Sequence, residues 1–189
     1  MEECHMRTFF GTSFAVVLGL SLGLARAEEK PVTSGPSDKA AGPFQVKAIT
    51  GEKAGTQLCY YCQYNAEVRP AVVMIFTQKA DDNLAMLIKS IDEVQKSNAK
   101  LGTVVVGVGG IEKADFEKLQ ATHKLTTPLT VAVDKDGPTA YKLNKDAAVT
   151  VLVYKQPGGA VAKNFAFADT KAAAAKAKDI AAAAQDALK

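Results

Sequence analysis

Three short runs, Ala71–Thr77, Thr103–Val108 and Leu129–Val133, are apolar without the polar alternation of a half-exposed strand. A strand that stays apolar at every position is covered on both faces, the condition met by a parallel sheet with helices over it. The stretches between the runs supply the helices. Asp81-Asp82 offers an N-cap, and Leu84, Leu87, Ile88, Ile91 and Val94 follow at helical spacing. Phe116, Leu119 and His123 share a face of a second helix that starts near residues 112 to 115. Gly109-Gly110 and Asp134-Lys135-Asp136-Gly137 end the second and third runs. Successive strands joined in this way imply right-handed crossovers.

Around this core the chain reads as strand and turn. Phe44–Ile49 predicts a strand, 50–55 its turn, and Gln57-Leu58 a short return strand. Residues 138–143 suit one or two helical turns. Val149–Tyr154 and Val161–Phe167 flank Gln156-Pro157-Gly158-Gly159, a hairpin signal. Lys171–Leu188 is alanine-rich, follows a cap at Asp169 or Thr170, and predicts a helix.

The 189 residues suit one domain with ends, and 48% hydrophobic with 23% charged residues is ordinary globular composition. The N-terminus lies outside that domain. Arg7 precedes an apolar run from Phe9 to Leu24 that ends in Ala25-Arg26-Ala27. A basic start, a short apolar stretch and A-x-A describe a secretory signal peptide cleaved after Ala27. The expected organisation is a signal peptide over 1–27, a Pro- and Gly-rich flexible linker over 28–43, and a folded domain over 44–189. The product would be periplasmic or secreted. The apolar run is short for a span and is followed by Glu28-Glu29, so no stable membrane span is expected after processing. The net charge is +3 and the lysines are scattered, which gives no support to a nucleic-acid partner.

Of three cysteines, Cys4 lies in the leader, leaving the pair Cys59-Tyr60-Tyr61-Cys62 for an oxidising compartment where a disulfide persists. The spacing admits a redox-active dithiol, a structural disulfide or half of a metal site. For the dithiol, Lys53 and Arg69 are near in sequence, and positive neighbours or a helix start lower a thiol pKa. That logic makes Cys59 the nucleophile and Cys62 the resolving residue, with Tyr60 and Tyr61 as an apolar rim for a partner peptide. The partners would be protein thiols or disulfides, and this chemistry needs no cofactor. As a structural bond, so short a loop stabilises little through chain entropy. As a metal site, the pair lacks further ligands beyond the distant His123, so no metal is assigned. Four cysteines shared by two chains, or Cu(I) on two thiolates, stay open. Asp81 and Asp82 read as capping residues. Gly107-Val108-Gly109-Gly110 lacks both nucleotide-binding fingerprints.

The chain resembles the thioredoxin fold, in its redoxin and peroxiredoxin version, over 44–189. The likeness rests on the early hairpin, the strand Ala71–Thr77, the stretch Leu125-Thr-Thr-Pro-Leu-Thr-Val-Ala-Val-Asp-Lys-Asp-Gly, and Ala148-Val-Thr-Val-Leu-Val-Tyr with its Gly turn and following strand. It implies an α/β three-layer sandwich with a central mixed sheet, an N-terminal β-hairpin extension and a C-terminal helix. It also implies departures. The family's catalytic cysteines follow the first core strand, where this chain has Thr77-Gln78-Lys79-Ala80-Asp81-Asp82, with Asp81 at the nucleophile's place. Cys59 and Cys62 precede that strand and are expected towards its other end. The family's substrate-contacting proline falls on Ala148, or in a shorter alignment on Pro128. Two functions are compatible with this pattern. One is thiol–disulfide exchange through the displaced pair, and the other a non-catalytic binding or scaffold module with a structural disulfide.

Overall fold

The computed structural model describes Met1 and residues 32–189. The expected leader, Cys4 and the start of the expected linker lie outside the described residues. Seven strands, β1 (Val46–Ala48), β2 (Gln57–Leu58), β3 (Ala71–Thr77), β4 (Leu101–Gly107), β5 (Leu129–Ala132), β6 (Val149–Lys155) and β7 (Ala160–Phe167), form one mixed sheet in the order β2-β1-β5-β4-β3-β6-β7. The three apolar runs are its centre: β3 pairs with β4, and β4 with β5, in parallel. β6 and β7 add the antiparallel hairpin, and β1 and β2 extend the other edge. Among the described residues there are five helices besides: α1 (Tyr60–Ala66), α2 (Asp82–Ser97), α3 (Lys113–His123), α4 (Thr170–Ala175) and α5 (Ala177–Ala187). The expected helical turn after Gly137 is a single 3-10 turn at Thr139–Tyr141.

Side chains of a strand alternate between faces, and both faces of β3 are buried. Ala71, Val73 and Ile75 face a helical layer built from Leu84, Leu87, Ile88 and Ile91 of α2, Phe116 of α3, and Ile180 of α5. Val72, Met74 and Phe76 face the opposite layer, made of Tyr60 and Tyr64 from α1, Tyr141, and Ala40. Each large apolar side chain so buried contributes about 1.5–3 kcal/mol, which is why β3 carries no polar position before Thr77.

Two segments differ from the expectation. The C-terminal helix is interrupted at Lys176, whose N–H is shared between the carbonyls of Ala172 and Ala173, so the chain tightens between α4 and α5. Residues 33–43, expected as a free linker, run as a strap across β6 and β7. Ala40 N–H donates to the Gly159 carbonyl at 2.8 Å and Val161 N–H to the Asp38 carbonyl at 2.9 Å. Ser34 is buried and accepts from the Thr150 hydroxyl at 2.6 Å, while Asn164 donates to the Ser34 and Pro36 carbonyls. Apart from the buried Ala40, the strap is held largely by backbone groups and polar side chains, which leave no hydrophobic period in the sequence.

Asp92 of α2 is buried and organises the turn before β5. Its carboxylate accepts from Thr126 N–H (2.9 Å), Thr127 N–H (3.0 Å) and the Thr127 hydroxyl (2.6 Å). A buried carboxyl is tolerated where both of its oxygens are hydrogen-bonded in this way.

Candidate functional site

β2 delivers the chain to Cys59, whose extended backbone (φ −112, ψ 103) makes it the N-cap of α1. Its Sγ accepts from Cys62 N–H at 3.1 Å, the place usually taken by a serine or aspartate oxygen. Cys59 and Cys62 are disulfide-bonded, with Cα atoms 5.3 Å apart. The seven residues of α1 are fixed to the sheet by one tyrosine pair at i and i+4. Tyr60 and Tyr64 pack with ring centroids 5.4 Å apart, and the Tyr64 hydroxyl donates to the Thr103 carbonyl of β4. Tyr61 turns towards the β6–β7 hairpin and stacks on Tyr154 at 5.9 Å. Cys62 lies on the remaining face of the helix and is exposed, whereas Cys59 is 9% exposed.

This arrangement differs from the sequence expectation in three respects. Tyr60 is 4% exposed and belongs to the core, so of the two expected rim residues only the half-buried Tyr61 retains surface beside the cysteines. Burial also pushes the Tyr60 hydroxyl up to about 12, with the carboxylates of Glu52 and Glu67 adding to the effect. Arg69 is turned away from the pair: its Nε meets Glu67 at 2.7 Å, its guanidinium donates to the Ala99 carbonyl at 2.6 Å, and it lies 5.5 Å from the Tyr64 ring centre. Burial works against the Glu67 charge, but hydrogen bonds from Gln63 and Arg69 and the Arg69 charge outweigh it and hold the carboxyl below its ordinary value. Finally, the cysteine expected as the nucleophile, Cys59, is the buried one of the pair. The signal was present: apolar residues at 60 and 64 define the inner face of a helix, and residue 62 falls opposite to it.

Beside α1 is a cavity of about 220 Å³ whose lining includes Tyr60, Gln63, Tyr64, Arg69, Gln95 and Pro128. Among the described residues no group of three or more His, Cys, Asp or Glu is placed to hold a metal ion.

The opposite end of β3, where cysteines would follow the strand, is closed by internal bonds. The Gln78 side chain donates to the carbonyls of Lys145 (3.0 Å) and Ala147 (2.7 Å), and its N–H to that of Ala148 (2.9 Å). The pairing of Thr77 with Val149 sets Ala148 directly beside this turn. Asp81 caps α2 through Leu84 N–H at 2.9 Å and accepts from the Thr170 hydroxyl at 2.6 Å, which ties α2 to α4. His123 reaches Asp82 at 2.8 Å at this same end, away from the cysteines.

No protein-family model matches the chain, and no curated protein matches it. Solved structures do. Peroxiredoxin Q of Xanthomonas campestris superimposes with a TM-score of 0.59 at 16% identity, covering 83% of this chain and 100% of its own. A protein assigned as the thiol:disulfide interchange protein DsbE of Chlorobium tepidum gives 0.58 at 15% identity, covering 84% and 99%. The fold is thioredoxin-like. A secreted thiol-disulfide isomerase of Corynebacterium glutamicum is similar as well, with a TM-score of 0.55 at 14% identity over 77% of this chain and 83% of the other. On this thioredoxin-like frame Tyr64 of α1 packs over Gly102 near the start of β4, and the Thr77–Asp82 turn follows the C-terminal end of β3. Among the described residues no helix is long and apolar enough to cross a membrane.

Proposed function

We propose that this protein carries out thiol–disulfide exchange with protein thiols or disulfides through Cys59 and Cys62, in the periplasm or outside the cell. The observation that carries the reading is a formed disulfide with one sulfur-bearing residue exposed, at the first turn of a helix. An exposed disulfide is open to attack by a thiolate, and exchange proceeds through a mixed disulfide. The names of the thioredoxin-like neighbours, an interchange protein and a secreted isomerase among them, agree with it. So does the leader-like N-terminus, since a disulfide persists in an oxidising compartment. The deciding experiment is the reduction potential of the pair. Exchange predicts a value in the range of exchange enzymes, roughly −120 to −270 mV. A value below about −300 mV, the range of structural bonds, would overturn it.

A second reading is a non-catalytic binding module in which the disulfide braces α1. It is favoured by the burial of Cys59 and by the cysteine-free turn at Thr77–Asp82. The low potential just named is its expected outcome.

A further inference from the structure

Exchange at a disulfide has a direction, because the incoming sulfur must approach along the line of the S–S bond and can do so only at an uncovered sulfur. In this chain the two cysteines are unequal. Cys62 is exposed on the outer face of α1, while Cys59 is 9% exposed, and its sulfur already accepts the Cys62 N–H at 3.1 Å. We propose that Cys62 is the sulfur that exchanges with partners and that Cys59 is the buried leaving and resolving group. This order is the reverse of the one expected from their positions in the motif.

The step rests on the exchange reading above and balances as follows. A thiolate of a partner dithiol attacks Sγ of Cys62 and forms a new S–S bond to it. The Cys59–Cys62 bond breaks, and its electron pair stays on Sγ of Cys59, where the Cys62 N–H meets the new negative charge. A leaving sulfur stabilised in this way departs faster. The second thiolate of the partner then attacks the partner's own sulfur in the mixed disulfide and expels Cys62 as a thiolate. The partner has lost two electrons and two protons and become a disulfide. Cys59 and Cys62 have gained the electrons and, with protons from solvent, are a dithiol. In the reductive direction the same atoms run backwards: the Cys62 thiolate attacks a partner disulfide, and Cys59 resolves it.

The immediate surroundings of Cys62 fit a macromolecular thiol. Asn65 and Ala66, the next residues along the same face of α1, are exposed and small, and the partly exposed Tyr61 borders the face. An extended peptide could lie there without displacing a core side chain. Tyr60 is excluded from such contact by its burial against Tyr64.

The test uses the full chain with Cys4→Ser as background. The oxidised protein is reacted with reduced glutathione, quenched with acid and fragmented, and the glutathione is located on Cys59 or Cys62. In parallel, Cys59→Ser and Cys62→Ser are reduced and mixed with an aromatic disulfide reagent. The expected result is glutathione on Cys62, and capture of the reagent at least about tenfold faster by Cys59→Ser, which retains the open thiol, than by Cys62→Ser. Glutathione on Cys59, or faster capture by Cys62→Ser, would overturn the assignment and leave the exchange function standing. No glutathione adduct on either sulfur of the folded wild type would defeat the exchange reading itself and the assignment with it. The wild-type mapping decides the matter even if a single-cysteine variant fails to fold.

Discussion

Tyr64 lies so close over Gly102 that a β-carbon on the glycine would stand 2.9 Å from the ring. The contact is what seats α1, and with it the disulfide, on the first residues of β4. Gly102→Ala forces the ring or the strand to move. We expect a loss of about 1–3 kcal/mol, the usual cost of overpacking. Denaturant unfolding measures it, and the Cys59–Cys62 reduction potential of the same variant reports whether the displaced helix alters the pair. An unchanged midpoint would show that Tyr64 is not the anchor of α1.

Val68 is the second expected lever, and it acts in the opposite direction. α1 ends with Val68 N–H bonded to the Asn65 carbonyl and Arg69 N–H to the Tyr64 carbonyl, the pattern in which glycine is favoured at the residue after the cap. Here that residue is a β-branched valine at φ 54 with 78% of its surface exposed. Val68→Gly relieves the left-handed strain and removes no packing. It should raise stability by about 1 kcal/mol without changing exchange kinetics. A destabilised Val68→Gly protein would mean that the side chain holds something at this surface.

Asp81 occupies the turn where a thioredoxin-like chain ordinarily carries its cysteines, and its carboxylate is fully engaged with Leu84 N–H and the Thr170 hydroxyl. Asp81→Asn keeps a cap and should stay within about 0.5 kcal/mol of wild type, whereas Asp81→Ala should cost about 1–2 kcal/mol. Disulfide exchange should be unaffected in both folded proteins. Lost exchange in a folded Asp81→Asn protein would show that the turn takes part in the chemistry.

All five tyrosines lie in the layer opposite the long helices, and burial raises the hydroxyl pKa of Tyr60, Tyr64, Tyr141 and Tyr154. An unfolded tyrosine ionises near 10, and folded Tyr60 near 12. Between these values the folded state binds more protons than the unfolded one, so stability falls as pH rises. Below pH 10 these groups impose no pH dependence. Denaturation midpoints should therefore be flat with respect to tyrosine ionisation up to pH 10 and drop steeply from there to 12. Phenolate absorbance should appear together with unfolding, and ionisation of four tyrosines near pH 10 in the folded protein would contradict the burial.

Much of the architecture could be read from the chain because it rests on side-chain period. Strands 71–77 and 129–132 follow their apolar runs closely, and the α2 stripe from Leu84 to Val94 is the helix face that packs on the sheet. β4 begins at Leu101 rather than Thr103, because Gly102 interrupts the apolar run in the sequence while its lack of a side chain is what admits Tyr64. The pairing of Cys59 with Cys62 was legible from their spacing alone. Their unequal burial was missed, because the motif was read by position in a helix rather than by the phase that Tyr60 and Tyr64 impose. The strap was illegible for a different reason. Its polar contacts are carbonyls, amides and the hydroxyls of Ser34, Thr150 and Tyr141, and such groups leave no pattern in hydrophobicity.

That strap moves the boundary of the smallest self-sufficient unit. A chain trimmed to Phe44, where the apolar pattern begins, would leave the Thr150 hydroxyl without Ser34, the Asn164 amide without its two carbonyls, and the Tyr141 hydroxyl without Gly42. It would also uncover the edge of β7 at Ala160, which the strap pairs through Lys39. A bared strand edge is a template for joining another sheet. Trimming residues 33–43 is therefore expected to be felt first as self-association and lost solubility.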